Sequence, residues 1–169
     1  MRTALLLLLP ALGCAGVPEL PEGPDACREP TRAIVNEVVD GDTADVEFLD
    51  GDLIGTEDRV RFNGIDTPEV DHEDPLASEF CGVRAWNEAI SVLEGEEVWL
   101  TFDTNCTGTF GRTLVYAFRA SDELWFNEHM VETGYARVSE FEFAFATQFE
   151  EKETTAMNAG LGLWGACTE

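Results

Sequence analysis

The chain has 169 residues, room for one domain of ordinary size, and its 44% hydrophobic content with 11 Phe and 4 Trp excludes global disorder. Its 34 acidic residues against 10 basic ones give a formal net charge of −24, a field that repels nucleic acid and anionic membrane at long range. Two readings of that field stay open: the protein avoids polyanions, or it works in a salty medium, which near ~1 M salt screens the field to a few ångströms.

The opening residues, MRTALLLLLPALGCAG, place Arg2 before the apolar run from Ala4 to Leu9 and then small residues. This is the pattern of a secretory signal, too short to span a bilayer. Gly13-Cys14 resembles a bacterial lipoprotein box, in which Cys14 is lipidated and anchors the protein to a membrane; Ala11 stands where such boxes usually carry leucine. The alternative is an ordinary signal peptide cut near Ala15 or Gly16, giving a secreted protein. The expected organisation is a lipoprotein-type signal peptide over 1–13, a Pro/Glu-rich tether over 14–31 and one domain over 32–167. The tether carries four of the seven prolines and is expected to be extended and solvated. Beyond Cys14, an exported chain with Cys27, Cys81, Cys106 and Cys167 is expected to form two disulfides in one of three connectivities. Cys27 and Cys167 bracket the domain, so Cys27–Cys167 with Cys81–Cys106 is the expected pairing. No CxxC pair exists to suggest zinc.

From Thr31 the alternation is that of strands: TRAIVNEVV, a turn at Gly41-Asp42, then TADVEF. EDRVRFNGI reads as a third strand, with Val60 and Phe62 on one face and Arg59, Arg61 and Asn63 on the other. DTPEVDHEDPLAS is a loop, barred from regular structure by Pro68 and Pro75. Phe80, Val83, Trp86, Ile90 and Leu93 then recur at helical spacing, with Ser78 as the expected N-cap and Gly95 as the stop. EVWLTFD and RTLVYAFRA are further strands, followed by a short helix ending at Gly134 and a last helix ending at Gly160. The four tryptophans, Trp86, Trp99, Trp125 and Trp164, lie on apolar faces and are expected in the core. Three strands, a helix, two strands and two helices suit a small antiparallel barrel with helices packed on it, an α+β protein that is mainly β.

The stretch VVDGDTADVEF places Asp40 and Asp42 around Gly41. An EF-hand wants oxygen ligands at loop positions one, three and five, glycine at six and glutamate at twelve. Counted from Asp40, position five is Ala44, six is Asp45 and twelve is Gly51, so that reading fails. RVRFNGIDTPEV supplies Arg61, Asp66, Thr67 and Glu69, and TFGR places Arg112 at the start of a strand. Carboxylates with a backbone or hydroxyl oxygen suit a hard cation such as calcium, and two arginines suit a phosphate through forked hydrogen bonds. A spare carboxylate can orient or deprotonate water, so together these parts suit metal-assisted phosphodiester hydrolysis. His72 in an acidic loop, His129 in a helix, and the run Asp71, Glu73, Asp74 read instead as ordinary surface groups.

VVDGDT, RVRFNGIDTPE, FGR, NEHMVETGYARV and GLGLWG, in this order over about residues 33 to 165, resemble the staphylococcal nuclease (thermonuclease) family. The resemblance implies a five-stranded OB-fold barrel with three packed helices and calcium-dependent hydrolysis of single-stranded or loosened DNA and RNA, leaving 3′-phosphates. It implies Asp42, Asp66 and the Thr67 backbone carbonyl as Ca2+ ligands, Glu69 as general base or water-positioning residue, and Arg61 and Arg112 on the phosphate. Asp40 would support the turn. Phe110 stands where the family usually carries tyrosine, so one hydroxyl contact to phosphate is absent, and Phe141 is a candidate stacking surface. Flanking basic residues are also absent, which bears on affinity more than on chemistry. A monomer is expected. The rival expectation is a non-catalytic OB-type binding module on the cell envelope.

Overall fold

The computed structural model describes residues 19–165 and 167; the expected signal peptide and Cys14 lie outside the described residues. The strands are β1 (Thr31–Val38), β2 (Thr43–Phe48), β3 (Glu57–Phe62), the short β4 (Ile65–Asp66), β5 (Glu97–Thr101), β6 (Thr113–Arg119) and the short β7 (Arg137–Val138). Five of them close a barrel in the order β1-β2-β3-β6-β5, while β4 and β7 pair in a separate two-stranded sheet. All neighbours round the barrel are antiparallel except β3 and β6. Alternation drives closure. Ala44, Val46 and Phe48 of β2, Val60 and Phe62 of β3, and Val98 and Leu100 of β5 all fall on the buried face. Each fully buried Val, Leu or Phe among them contributes roughly 1.5–3 kcal/mol relative to exposure.

Three helices pack outside the barrel: α1 (Gly82–Leu93), α2 (Phe126–Glu132) and α3 (Ala146–Ala159). α1 buries Ala85, Ala89, Val92 and Leu93, and its Trp86 Nε1 donates to the Val38 carbonyl at 2.8 Å, sealing the end of β1. The outer face of β6 is covered in turn by an aromatic cluster in which Tyr116 meets Trp125 and Phe145 edge-on. The architecture is therefore the expected α+β, mainly β, OB-type barrel with three helices.

Several details correct the sequence expectations. α1 begins at Gly82 rather than near Ser78, and its N-cap is Cys81 in the left-handed region (φ 73°). Ser78 instead ends a 3-10 turn over Pro75–Ala77, where its hydroxyl accepts from the Asp71 N–H at 3.0 Å. Phe80 consequently lies ahead of the helix and is exposed. The four tryptophans are half-buried, with Trp86 and Trp125 packed against the core from outside.

The disulfides join Cys27 to Cys106 and Cys81 to Cys167, with Cα–Cα separations of 5.7 and 5.6 Å, so the expected Cys27–Cys167 and Cys81–Cys106 pairing is wrong. The physical reason is the path of the chain before β1. From Pro21 it is packed along the end of β5 rather than extended into solvent. Thr101 Oγ1 donates to the Pro21 carbonyl and Thr104 Oγ1 to the Pro24 carbonyl, both at 2.6 Å. The N–H groups of Gly23 and Cys27 donate to the carbonyls of Phe102 and Asp103 at 2.8 and 2.9 Å, which brings Cys27 to Cys106.

Candidate active site

The β1–β2 turn is built around Asp40 and Gly41. Asp40 Oδ1 accepts from the Asp42 N–H at 2.9 Å, a local side-chain turn of the kind aspartate favours. Gly41 packs against Thr67, and an added Cβ would lie 2.7–2.9 Å from three Thr67 side-chain atoms. The turn is stitched to the end of β3 by the Phe62 N–H donating to the Asp42 carbonyl at 2.8 Å. Glycine is thus needed for close approach, and the approach is what buries Asp42.

Asp42 is 2% exposed. Its Oδ2 accepts from the Thr67 N–H at 2.9 Å and from Thr67 Oγ1 at 3.2 Å, and its Oδ1 accepts from Thr43 Oγ1 at 3.0 Å. Arg61 faces Thr43 across the β2–β3 ladder and forms an ion pair with Asp42 through Nη1. Its Nη2 donates to Asp66 Oδ1 at 2.9 Å and to the Ile65 carbonyl at 3.2 Å. One guanidinium therefore spans the two carboxylates. Burial pulls the Arg61 pKa down, opposed by the charges of Asp66 and Asp40. Burial raises the Asp40 carboxyl, and hydrogen bonding with Thr43 and the charges of Arg61 and Arg112 only partly offset this.

Arg112 enters from the far side of the same corner. A 3-10 turn over Thr109–Gly111 carries Phe110 at φ 64° and delivers Arg112 to the start of β6, beside β3. Its Nη1 donates to Thr43 Oγ1 at 3.4 Å. Its Nε is buried and meets no hydrogen-bond partner among the described residues. A buried guanidinium N–H without an acceptor fits an anion such as a phosphate oxygen.

The structure thus gathers Asp40, Asp42, Arg61, Asp66, Thr67 and Arg112. Two further predicted residues stand apart. Phe110 is 91% exposed. Glu69 is also exposed and lies two residues beyond Thr67 on the loop, and among the described residues it is bonded through its backbone: its N–H donates to Glu79 Oε2 at 3.3 Å and its carbonyl accepts from the Glu79 N–H at 3.1 Å. A groove of about 930 Å³ opens beside Arg61, Asp66 and Arg112 and runs to Phe141 and Phe143.

Asp103, which the sequence reading passed over, lies on this groove. Its Oδ2 accepts from the Tyr116 hydroxyl at 2.6 Å and from the Ala144 N–H at 2.8 Å, so it fastens the segment that carries Phe141 and Phe143 to the barrel. Burial raises the Asp103 carboxyl, but hydrogen bonds from Tyr116, Ala144 and Thr104 outweigh it and hold it below its ordinary value. Burial and the neighbouring Asp103 push the Tyr116 hydroxyl far up. An acid closing a strand in LTFD was the available signal, but its partners are remote in sequence.

For a cation, the donor set is hard oxygen. The Asp42 and Asp66 carboxylates already converge on one positive charge, although no group of three His, Cys, Asp or Glu side chains gathers around a metal position among the described residues. Carboxylate oxygens suit a hard cation such as calcium better than zinc or copper.

A profile of the family described as Staphylococcal nuclease homologue matches residues 59–166. The uncharacterized protein MJ1439 of Methanocaldococcus jannaschii is 31% identical over 150 residues, covering 77% of this chain and 70% of that protein. The Thermonuclease of Staphylococcus intermedius is 30% identical over 133 residues, covering 78% of this chain and 74% of that protein. Family and relative both point to a nuclease, a hydrolase acting on nucleic acid. A barrel that sets two arginines beside a buried aspartate, and a profile that spans more than half of the sequence, lead to one conclusion: the chain belongs to the staphylococcal nuclease family.

Proposed function

We propose that the protein is a calcium-dependent phosphodiesterase that cleaves single-stranded or loosened DNA and RNA by water attack. The observation that carries this reading is the corner where Arg61 and Arg112 meet the Asp42–Thr43 pair, with the Arg112 Nε lacking an acceptor among the described residues. Arg61 and Arg112 bind the scissile phosphate and neutralise charge that grows on its oxygens as the nucleophile approaches. Arg61 exchanges its carboxylate partners for phosphate when it does so. Glu69 orients and deprotonates the attacking water. Asp42, Asp66 and the Thr67 backbone carbonyl hold Ca2+, which when bound supplies positive charge to the reacting phosphate. Asp40 keeps the turn in shape. By analogy with the family, the P–O5′ bond breaks and 3′-phosphate ends remain. Two disulfides support an exported protein in an oxidising compartment, and lipidation at Cys14 would hold it to a membrane.

The test is to incubate the purified chain with denatured DNA and calcium across a salt series, and to repeat it with a calcium chelator. Fragments that disappear on chelation are expected. Undiminished cleavage in chelator contradicts the metal assignment. No cleavage at any salt favours the envelope-binding module, a reading supported by the −24 charge and by the glutamates Glu140 and Glu142 bordering the groove.

A further inference from the structure

We propose that the turn from Glu79 to Gly82, locked by the Cys81–Cys167 disulfide, is the positioning element for Glu69, so that turnover depends on a covalent link outside the phosphate-binding corner. The proposal rests on the reading of Glu69 as general base. Glu69 sits on an exposed loop, and residues 71–77 beyond it are exposed throughout. What fixes its place is backbone. The Glu69 carbonyl accepts from the Glu79 N–H at 3.1 Å, and the Glu69 N–H donates to Glu79 Oε2 at 3.3 Å.

Gly82 closes the contact from the other side. A Cβ at this position would overlap the Glu69 carbonyl oxygen and lie 3.3 Å from the Pro68 oxygen. The Gly82 N–H in turn donates to the Glu79 carbonyl at 2.8 Å, so the turn and the Glu69 backbone form one packed unit. Cys81, at φ 73°, holds a conformation that a side chain disfavours, and its surroundings must impose it. The bond to Cys167 does this from a firm base. The Cys167 N–H donates to the Gly162 carbonyl at 3.0 Å, and the Leu163 N–H donates to the Gly134 carbonyl, just beyond α2, at 2.8 Å. A path of close contacts thus runs from α2 through the C-terminal turn and the disulfide to the backbone of Glu69. Displacing a catalytic group by about 1 Å can cost roughly 10²-fold in rate, so loosening this path acts on kcat.

The test uses the purified full chain, denatured DNA and saturating calcium. Gly82→Ala, which forces a methyl against the Glu69 carbonyl, is expected to lower kcat roughly 10- to 100-fold while KM stays within about twofold. Glu79→Ala is expected to lower kcat severalfold, and Glu79→Gln, which keeps a side-chain oxygen, to restore it. Amide exchange across 68–73 is expected to quicken in both damaging variants and in Cys81→Ser/Cys167→Ser. Should the cysteine variant fail to fold, the two variants that keep the disulfide carry the test. In a Glu69→Gln background Gly82→Ala is expected to cause no further loss, because both changes act through one group. Wild-type kcat in Gly82→Ala and Glu79→Ala, or a multiplicative loss in the Glu69→Gln background, overturns the positioning role alone. Wild-type kcat in Glu69→Gln overturns the base assignment and the positioning role with it.

Discussion

Asp42 and Arg61 are tied to each other, to Thr43 and to Thr67 by side-chain bonds, whereas Glu69, two residues beyond Thr67, is exposed and held through its backbone by one turn. The proposed phosphate-binding groups are held at the strands by ion pairs and hydrogen bonds, where partial burial makes each donor count most. Glu69, the proposed water-handling group, is carried on a loop whose backbone packs against Gly82 of α1, next to the disulfide-bonded Cys81. The difference predicts that damage to the two regions has different kinetic signatures.

The largest effect falls on the barrel side. Arg61→Ala is expected to lower kcat/KM by about 10³-fold or more, through lost transition-state charge stabilisation and weaker phosphate binding together. Glu69→Gln is expected to lower kcat by roughly 10²–10³-fold with KM little changed, since in the proposed mechanism the loop side handles a proton rather than the phosphate. Equal losses in KM for both variants would erase the distinction.

A stability effect comes next. Asp103→Ala leaves the buried Tyr116 hydroxyl and the Ala144 N–H without their acceptor, and is expected to destabilise the fold by about 2–3 kcal/mol in urea unfolding. The pH dependence has a fixed sign. The native Asp103 carboxyl lies below its ordinary value of 3.8, so the native state binds that proton less readily than the unfolded chain. Its contribution is complete above that value and is lost as pH falls through the lower native one. The gap between wild type and Asp103→Asn should therefore narrow in acid; a gap that widens contradicts this.

Smaller still is the contrast between the whole surface and the groove. Protein–nucleic acid affinity ordinarily falls with salt, through counterion release. Here the −24 field opposes substrate capture, and raising salt from about 0.1 to 1 M shrinks the screening length from about 10 to 3 Å. Cleavage of denatured DNA is expected to speed up over that range; a steady decline would mean that the arginine pair outweighs the surface field. Smallest for turnover is Cys27→Ser/Cys106→Ser, which releases the segment along β5 and should lower the melting temperature while leaving kcat unchanged.

The barrel was legible because burial on one face writes itself as period-2 alternation, and Val60 with Phe62 opposite Arg59 and Arg61 is that signal at the site itself. That Asp42, Asp66, Arg61 and Arg112 share one corner was legible through motif and resemblance, whereas the ion pair between Asp42 and Arg61 was not. What was not legible depended on remote packing. The start of α1 moved from Ser78 to Gly82 because the Glu69 backbone occupies the space beside it, which no local propensity encodes. The disulfides followed the path of residues 21–27 along β5, invisible in cysteine spacing. Asp103 was missed for a similar reason, since Tyr116 and Ala144 come to it only in the folded chain.

The most direct measurement is the rate of calcium-dependent cleavage of single-stranded DNA by the purified wild-type chain beside Arg61→Ala and Arg112→Ala, at matched salt and with folding checked by thermal melting. Rapid cleavage by the wild type and near-background rates for both folded variants are predicted. Wild-type rates in both variants would contradict the assignment of this corner as the reacting site.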